Sequence, residues 1–177
     1  MKIHRLNTSE LVEKTPLLKS GDEVFLSGTV YTARDAAHMR LIKMIKNNEP
    51  LPFELNGACI YYAGPTEAPS DLAVGSCGPT TSCRMDSFTP LLLDMGLAAT
   101  IGKGERSREV VDSIVKNRSV YFCAIGGAGA IASKCITSCE VIAFEDLGCE
   151  SIKKLTFCDF PLFVGIDCLG NSVFETH

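Results

Sequence analysis

A single α/β domain over residues 1–177, with a mixed sheet and layered as sheet, sheet and helices, is what this sequence predicts. Three observations predict it. In the middle of the chain, runs of β-branched and aromatic residues alternate with helical patterns, the order expected of βα units. Beyond the glycine-rich run near residue 130, strand-like runs follow one another without long helices between them, which parallel pairing alone cannot connect. At 177 residues, with 46% hydrophobic and 21% charged residues, the chain can bury a sizeable core and is too apolar for disorder.

In chain order, residues 1–20 read as an irregular or edge segment, closed by the turn Ser20-Gly21-Asp22. Residues 23–31 (EVFLSGTVY) form a strand that runs into Thr32-Ala33-Arg34-Asp35, whose Thr-x-x-acid spacing predicts a capping box. Apolar positions from Ala36 to Ile45 carry the helix to about Asn47, and Asn48-Glu49-Pro50 stops it. Residues 57–65 are a second strand with a sharp Gly-Pro end. The stretch Gly78-Pro79-Thr80-Thr81-Ser82-Cys83-Arg84-Met85-Asp86 predicts a tight turn and a helix that continues through Phe88, Leu91, Leu92 and Met95 to Gly96. Residues 97–101 are a short buried strand ending in Gly102-Lys103-Gly104, and Ser107 opens a helix along Val110, Val111, Ile114 and Val115. Residues 119–125 are a strand, followed by Gly126-Gly127-Ala128-Gly129-Ala130. Residues 140–144, 152–157 and 162–167 are strands, and 167–172 is a closing turn, giving seven or eight strands and four helices in all.

A net charge of −4 and a pI near 5.4 exclude the basic face that nucleic-acid binding needs. No apolar run reaches membrane-spanning length, and Met1-Lys2-Ile3-His4-Arg5-Leu6 lacks a signal-peptide core, so neither nucleic acid nor membrane is an expected partner and a cytoplasmic location is expected. The nine Cys are odd in number and scattered, with no Cys-x-x-Cys pair. That spacing gives no zinc ribbon, cluster motif or disulfide framework, and predicts reduced, mostly buried thiols.

The chemistry-bearing residues gather at strand-to-helix junctions. A helix start offers unpaired N–H groups and a positive dipole end, and Arg84 adds a planar fork suited to carboxylate or phosphate. Arg34 occupies the equivalent place after the first strand; on its own it reads as a surface arginine or as an anion ligand. Lys103, between two glycines, reads as a surface turn taken alone. The G-x-G-x-x-A match built on Gly127 and Gly129, with Glu145 and Asp146 beyond it, opens a nucleotide-binding reading; too little chain remains for the further βα repeats that a dinucleotide fold requires.

Gly78-Pro-Thr-Thr-Ser-Cys-Arg-Met-Asp86, with Thr32-Ala-Arg-Asp-Ala-Ala-His38, Ile101-Gly-Lys-Gly-Glu-Arg-Ser107, Gly126-Gly-Ala-Gly-Ala130 and Asp159-Phe-Pro161, resembles the β subunit of class I, iron–sulfur-dependent fumarate hydratase, the module shared with L(+)-tartrate dehydratase. The resemblance implies a swivelling β/β/α fold and an α subunit that ligates a 4Fe–4S cluster, while this chain ligates none. It implies a heterodimer paired into a heterotetramer, acting on fumarate and (S)-malate or, alternatively, on tartrate. It assigns Arg34, Arg84 and Lys103 to the dicarboxylate substrate and Thr80 to the C3 proton, as base or as orienting group. Asp35, His38 and Asp86 would hold the arginines from behind. Two carboxylates call for two or three cations, and those cations stabilise the charge that builds on the carboxylate as C3 is deprotonated. Hydroxyls are poor bases unless a neighbouring guanidinium such as Arg34 favours the alkoxide. A scaffold subunit without catalytic residues is the remaining alternative.

Overall fold

Alternation and full burial sort the strands into edge and centre. In a computed structural model, which describes residues 1–125 and 127–175, the strands are β1 Ile3–Asn7, β2 Glu23–Thr32, β3 Cys59–Tyr61, β4 Ala99–Gly102, β5 Val120–Ala124, β6 Ile136–Ala143 and β7 Ile152–Ile166. The α-helices are α1 Leu11–Lys14, α2 Asp35–Lys46, α3 Thr89–Asp94, α4 Arg108–Asn117 and α5 Ala128–Cys135. Gly126 lies outside the described residues. In β2 the buried positions Val24, Leu26, Val30 and Thr32 fall on one face, whereas β4 and β5 are buried at every position, as central strands covered on both faces are. No helix among the described residues is long and apolar enough to cross a membrane.

The strands hydrogen-bond in the order β1-β2-β3-β4-β5-β7-β6, with an additional β2–β7 pairing. β1 through β5 are parallel, and β7 is antiparallel to β2, β5 and β6. The sheet is therefore mixed, as expected, and β2-β3-β4-β5-β7 close a hydrogen-bonded circuit. Tyr61, Ile101, Phe122, Leu155 and Phe160 belong to one apolar cluster that draws on all the strands of the circuit. The alternate residues Ile60, Tyr62 and Tyr121 join Leu41, Met85, Leu92 and Ile114 in a second cluster that includes α2, α3 and α4. Each fully buried Leu, Ile or Phe is worth about 1.5–3 kcal/mol, so these two clusters outweigh the exposed ion pairs.

Several local expectations give way to longer-range bonds. Residues 3–7 are a true edge strand, and Asn7 with Glu10 forms a capping box at the turn that follows. The capping box expected at Thr32 is absent. Thr32 ends β2, where its hydroxyl donates to Ser151 O at 3.3 Å and accepts from Lys153 N at 3.0 Å, and Arg34 takes the N-cap of α2 without a side-chain cap bond. The helix expected from Ser82 to Met95 is two pieces, a 3₁₀ turn Ser82–Met85 and then α3. Pro90 explains the break, because proline is at home in a first helical turn and unfit for an interior one. The runs 152–157 and 162–167 are one strand, β7, in which Pro161 stands opposite Phe25 of β2. The predicted Ser107 cap holds: its hydroxyl accepts from Val110 N at 3.4 Å and opens α4. Beyond α5 the chain turns antiparallel, so the further βα repeats of a dinucleotide fold are not built.

The thiols also differ from expectation. All nine are free, but Cys59, Cys77, Cys123 and Cys168 alone are buried, Cys135 and Cys139 are half-buried, and Cys83, Cys149 and Cys158 are exposed.

Candidate functional site

Because β2, β3, β4 and β5 are parallel neighbours, their carboxyl ends share one edge, where crossover loops collect. Arg34 follows β2, Gly64 follows β3, Lys103 follows β4 and Gly127 follows β5. The stretch carrying Thr80 and Arg84 is stitched across this edge. Thr80 N donates to Tyr62 O at 2.7 Å, and Pro79 bridges to Ala63 beyond β3. Thr81 bridges in parallel to Lys103, Ser82 N donates to Lys103 O at 2.9 Å, and Lys103 N donates back to Ser82 Oγ at 3.0 Å. Tyr61 anchors the approach to the stretch, its hydroxyl donating to Cys77 O at 2.6 Å.

Arg84 Nε reaches back to Asp35 Oδ1 at 3.1 Å, which brings the 3₁₀ turn against the start of α2. Arg34 lies against Gly64, where a Cβ would meet Arg34 Cδ at 3.4 Å and Cys149 O at 2.9 Å; only glycine leaves that passage open. Gly102 is tight for the same reason, since a Cβ there would collide with the Ser82 hydroxyl. Thus Arg34, Thr80, Arg84 and Lys103 are gathered on one rim. Thr80 is half-buried and Lys103 exposed, and the Arg34 and Arg84 side chains are 26% and 52% exposed.

Of the backbone amides around the 3₁₀ turn, those of Thr80 and Ser82 are spent on Tyr62 and Lys103. The positive side chains of the rim are Arg34, Arg84 and Lys103. Of these, Arg84 is partly neutralised by Asp35, while among the described residues Arg34 has only Glu150 at 3.9 Å, and its buried Nε has no hydrogen-bond partner there. Lys153, which the sequence reading did not single out, donates to Gly148 O at 3.2 Å, Cys149 O at 3.1 Å and Ser151 Oγ at 2.8 Å. It thereby fixes the segment that meets Gly64 and Arg34, and burial pushes its ammonium below the ordinary lysine range.

Asp35, His38 and Asp86 do different things. Asp35 holds Arg84, and His38 Nδ1 bonds the Arg34 carbonyl at 2.8 Å. Asp86 turns away from both arginines: Oδ1 accepts from Arg106 Nε at 2.7 Å and Oδ2 from Ser107 N at 2.6 Å. Arg106 is the residue that sequence reasoning missed. Its side chain is fully buried, with Nη1 donating to Thr100 Oγ1 at 3.2 Å and Nη2 to Tyr62 Oη at 3.1 Å and Thr89 Oγ1 at 2.8 Å. Although burial opposes its charge, Tyr62, Asp86 and Tyr121 outweigh that and raise its affinity for the proton.

His38 is wholly buried between Tyr62 and Phe88. Burial pushes its pKa from 6.5 down to about 4; Arg106 adds to the fall, while the Arg34 carbonyl and Asp35 oppose it. The folded chain thus refuses a proton that the unfolded chain takes up below pH 6.5. This contribution to stability is complete above pH 6.5 and lost as pH falls toward 4, by about 3 kcal/mol at about 1.4 kcal/mol per pH unit. Urea unfolding of the wild type and His38→Asn, which keeps a donor near Nδ1, should show their stability difference shrinking by that amount between pH 7 and pH 4. A difference independent of pH would refute the assignment.

Among the described residues no three His, Cys, Asp or Glu side chains form a set that could hold a metal ion. Arg34, Thr80, Arg84 and Lys103 line neither of two cavities of about 510 and 490 Å³, one beside Asn7 and Gly28 and one between Pro65, Cys149 and Lys153.

The model of the fumarase C-terminus family matches residues 1–177. The chain is 42% identical to fumarate hydratase 2 of Leishmania major, over 88% of this chain and 28% of that protein. It is 40% identical to the aerobic class I fumarate hydratase of Escherichia coli strain K12, over 85% of this chain and 28% of that one. A Methanocaldococcus jannaschii protein provisionally named L(+)-tartrate dehydratase subunit beta is 38% identical, over 89% of this chain and 84% of its own length. The chain thus spans a little over a quarter of those two fumarate hydratases, at 28% of each.

Proposed function

The chain belongs to the fumarase C-terminus family, and on that premise we propose that it is the β subunit of a hydro-lyase that interconverts fumarate and (S)-malate. What supports this reading is the rim: Arg34, Lys103 and the stretch carrying Thr80 and Arg84 lie on neighbouring loops at one sheet edge, linked through Asp35, Ser82 and Gly64. A dicarboxylate needs two cationic contacts that also fix its orientation, and a bidentate arginine supplies both. In this reading Arg34 and Arg84 take carboxylates, and Lys103 adds a third positive charge. In the same reading Thr80 orients or deprotonates C3, and a neighbouring guanidinium such as Arg34 would favour the alkoxide. Charge that develops on the adjacent carboxylate is stabilised more in the transition state than in the ground state.

A 4Fe–4S cluster held by an α subunit would supply the Lewis acid for the substrate hydroxyl; this chain contributes the cations and Thr80. We place the chain in a cytoplasmic heterodimer, paired into a heterotetramer. Residues 1–177 would act as one three-layered swivelling domain that closes over the partner. L(+)-Tartrate is the second substrate reading, favoured by the near-full-length match to a β subunit carrying that name. Assay of the reconstituted pair on malate and on tartrate decides between them. Preference for malate supports the first reading and strong preference for tartrate the second. Activity on neither would sink both.

A further inference from the structure

We propose that Arg106 is a positioning residue whose buried guanidinium sets the spacing of Thr80, Arg84 and Lys103. This rests on the substrate-binding roles given to those three residues above. Arg106 contacts the supports of each. It donates to the hydroxyl of Tyr62, and the Tyr62 carbonyl accepts from Thr80 N at 2.7 Å. It lies over the Tyr121 ring at 4.8 Å, and the Tyr121 hydroxyl donates to Gly104 O and is hydrogen-bonded to Ser82 Oγ, both at 2.8 Å. Ser82 Oγ in turn accepts from Lys103 N at 3.0 Å. On the third side Arg106 pairs with Asp86, two residues beyond Arg84, and Asp86 also takes Ser107 N. One planar group therefore meets the supports of the crossovers after β3 and β4 and of the 3₁₀ turn between them.

Stability alone is a poor reason for such a hub, because apolar residues of similar volume commonly serve a core as well as a buried ion pair. What a guanidinium offers, and an apolar side chain or an ammonium does not, is several donors in fixed in-plane directions. Arg106 uses them on Asp86, Thr100, Tyr62 and Thr89.

The test is Arg106→Lys in the full chain, read in two ways. Hydrogen exchange should speed by about tenfold or more at the amides of Thr80, Lys103 and Ser107, and stay unchanged at Leu26 in β2. In the reconstituted pair, kcat/KM for the dicarboxylate should fall about 100-fold in the wild-type background, and less than about threefold once Lys103→Ala has already been made. An equal cost in both backgrounds, or exchange that is unchanged or uniformly faster, overturns the proposal. An inactive wild-type pair with the local exchange change intact would instead overturn the substrate reading and leave Arg106 as the organiser of the rim. Should Arg106→Lys fail to fold, Tyr121→Phe removes another arm of the hub. It should show the same non-additivity with Lys103→Ala, and additive costs would overturn the proposal.

Discussion

Replacing Asp86 by Ala should destabilise the chain by about 3–5 kcal/mol, because it strands the charge of Arg106 in the interior. The Arg106 side chain is 0% exposed and that of Asp86 11%, and the carboxylate is the one anionic partner the guanidinium has among the described residues. The same substitution removes the acceptor of Ser107 N at the start of α4. Against a typical total of about 5–15 kcal/mol, that is a large fraction of the fold's stability. The exposed i,i+4 pair Arg108–Asp112, with side chains 77% and 60% exposed, provides the contrast. Asp112→Ala should cost no more than about 0.5 kcal/mol. Urea unfolding monitored by circular dichroism measures both. The double variant Asp86→Ala/Arg106→Met should recover part of the loss, since it removes the stranded charge as well as its partner. Without recovery, the effect would belong to the lost cap at Ser107 rather than to the buried charge.

Why this pair stayed hidden while others did not follows from what each depends on. Ser107 could be identified as a cap because capping is decided within four residues, and the structure keeps it. Strand β2 was equally legible from its β-branched and aromatic run. Arg106, by contrast, stands in the quoted run Ile101 to Ser107 with nothing local to say that it is buried. Its burial depends on Asp86, twenty residues back, and on Tyr62 and Tyr121 from β3's end and β5. Thr32 misled for the opposite reason. Its spacing to Asp35 fits a capping box, but Ser151 O, just before β7, and Lys153 N, within it, meet the same hydroxyl. The break before α3 is legible in Pro90, which belongs in a first helical turn and not inside a helix continuing to Gly96. For the site, the motifs located the cations; only the folded rim separates them, with Arg84 committed to Asp35 and Arg34 comparatively free.

That difference predicts an order of effects. On the proposed role of Arg34 as a carboxylate ligand in a desolvated site, Arg34→Ala should cost roughly 2–5 kcal/mol in kcat/KM, a fall of about 30-fold to several thousandfold. Arg84→Ala should cost less, because Asp35 Oδ1 at 3.1 Å already holds part of its charge. Neither substitution should unfold the chain: the Arg34 side chain makes no cap bond at α2, and the Arg84 side chain is half-exposed. Lysine at position 34 should restore only part of the activity, since an ammonium cannot make the paired, in-plane contact to a carboxylate. The measurement is steady-state kinetics of the reconstituted pair, with thermal melting of each variant as the control for folding. If Arg84→Ala proved the more damaging, Asp35 would be orienting Arg84 for the substrate rather than competing for it. Full activity in both variants would take the substrate away from this rim and leave the chain a scaffold for its partner.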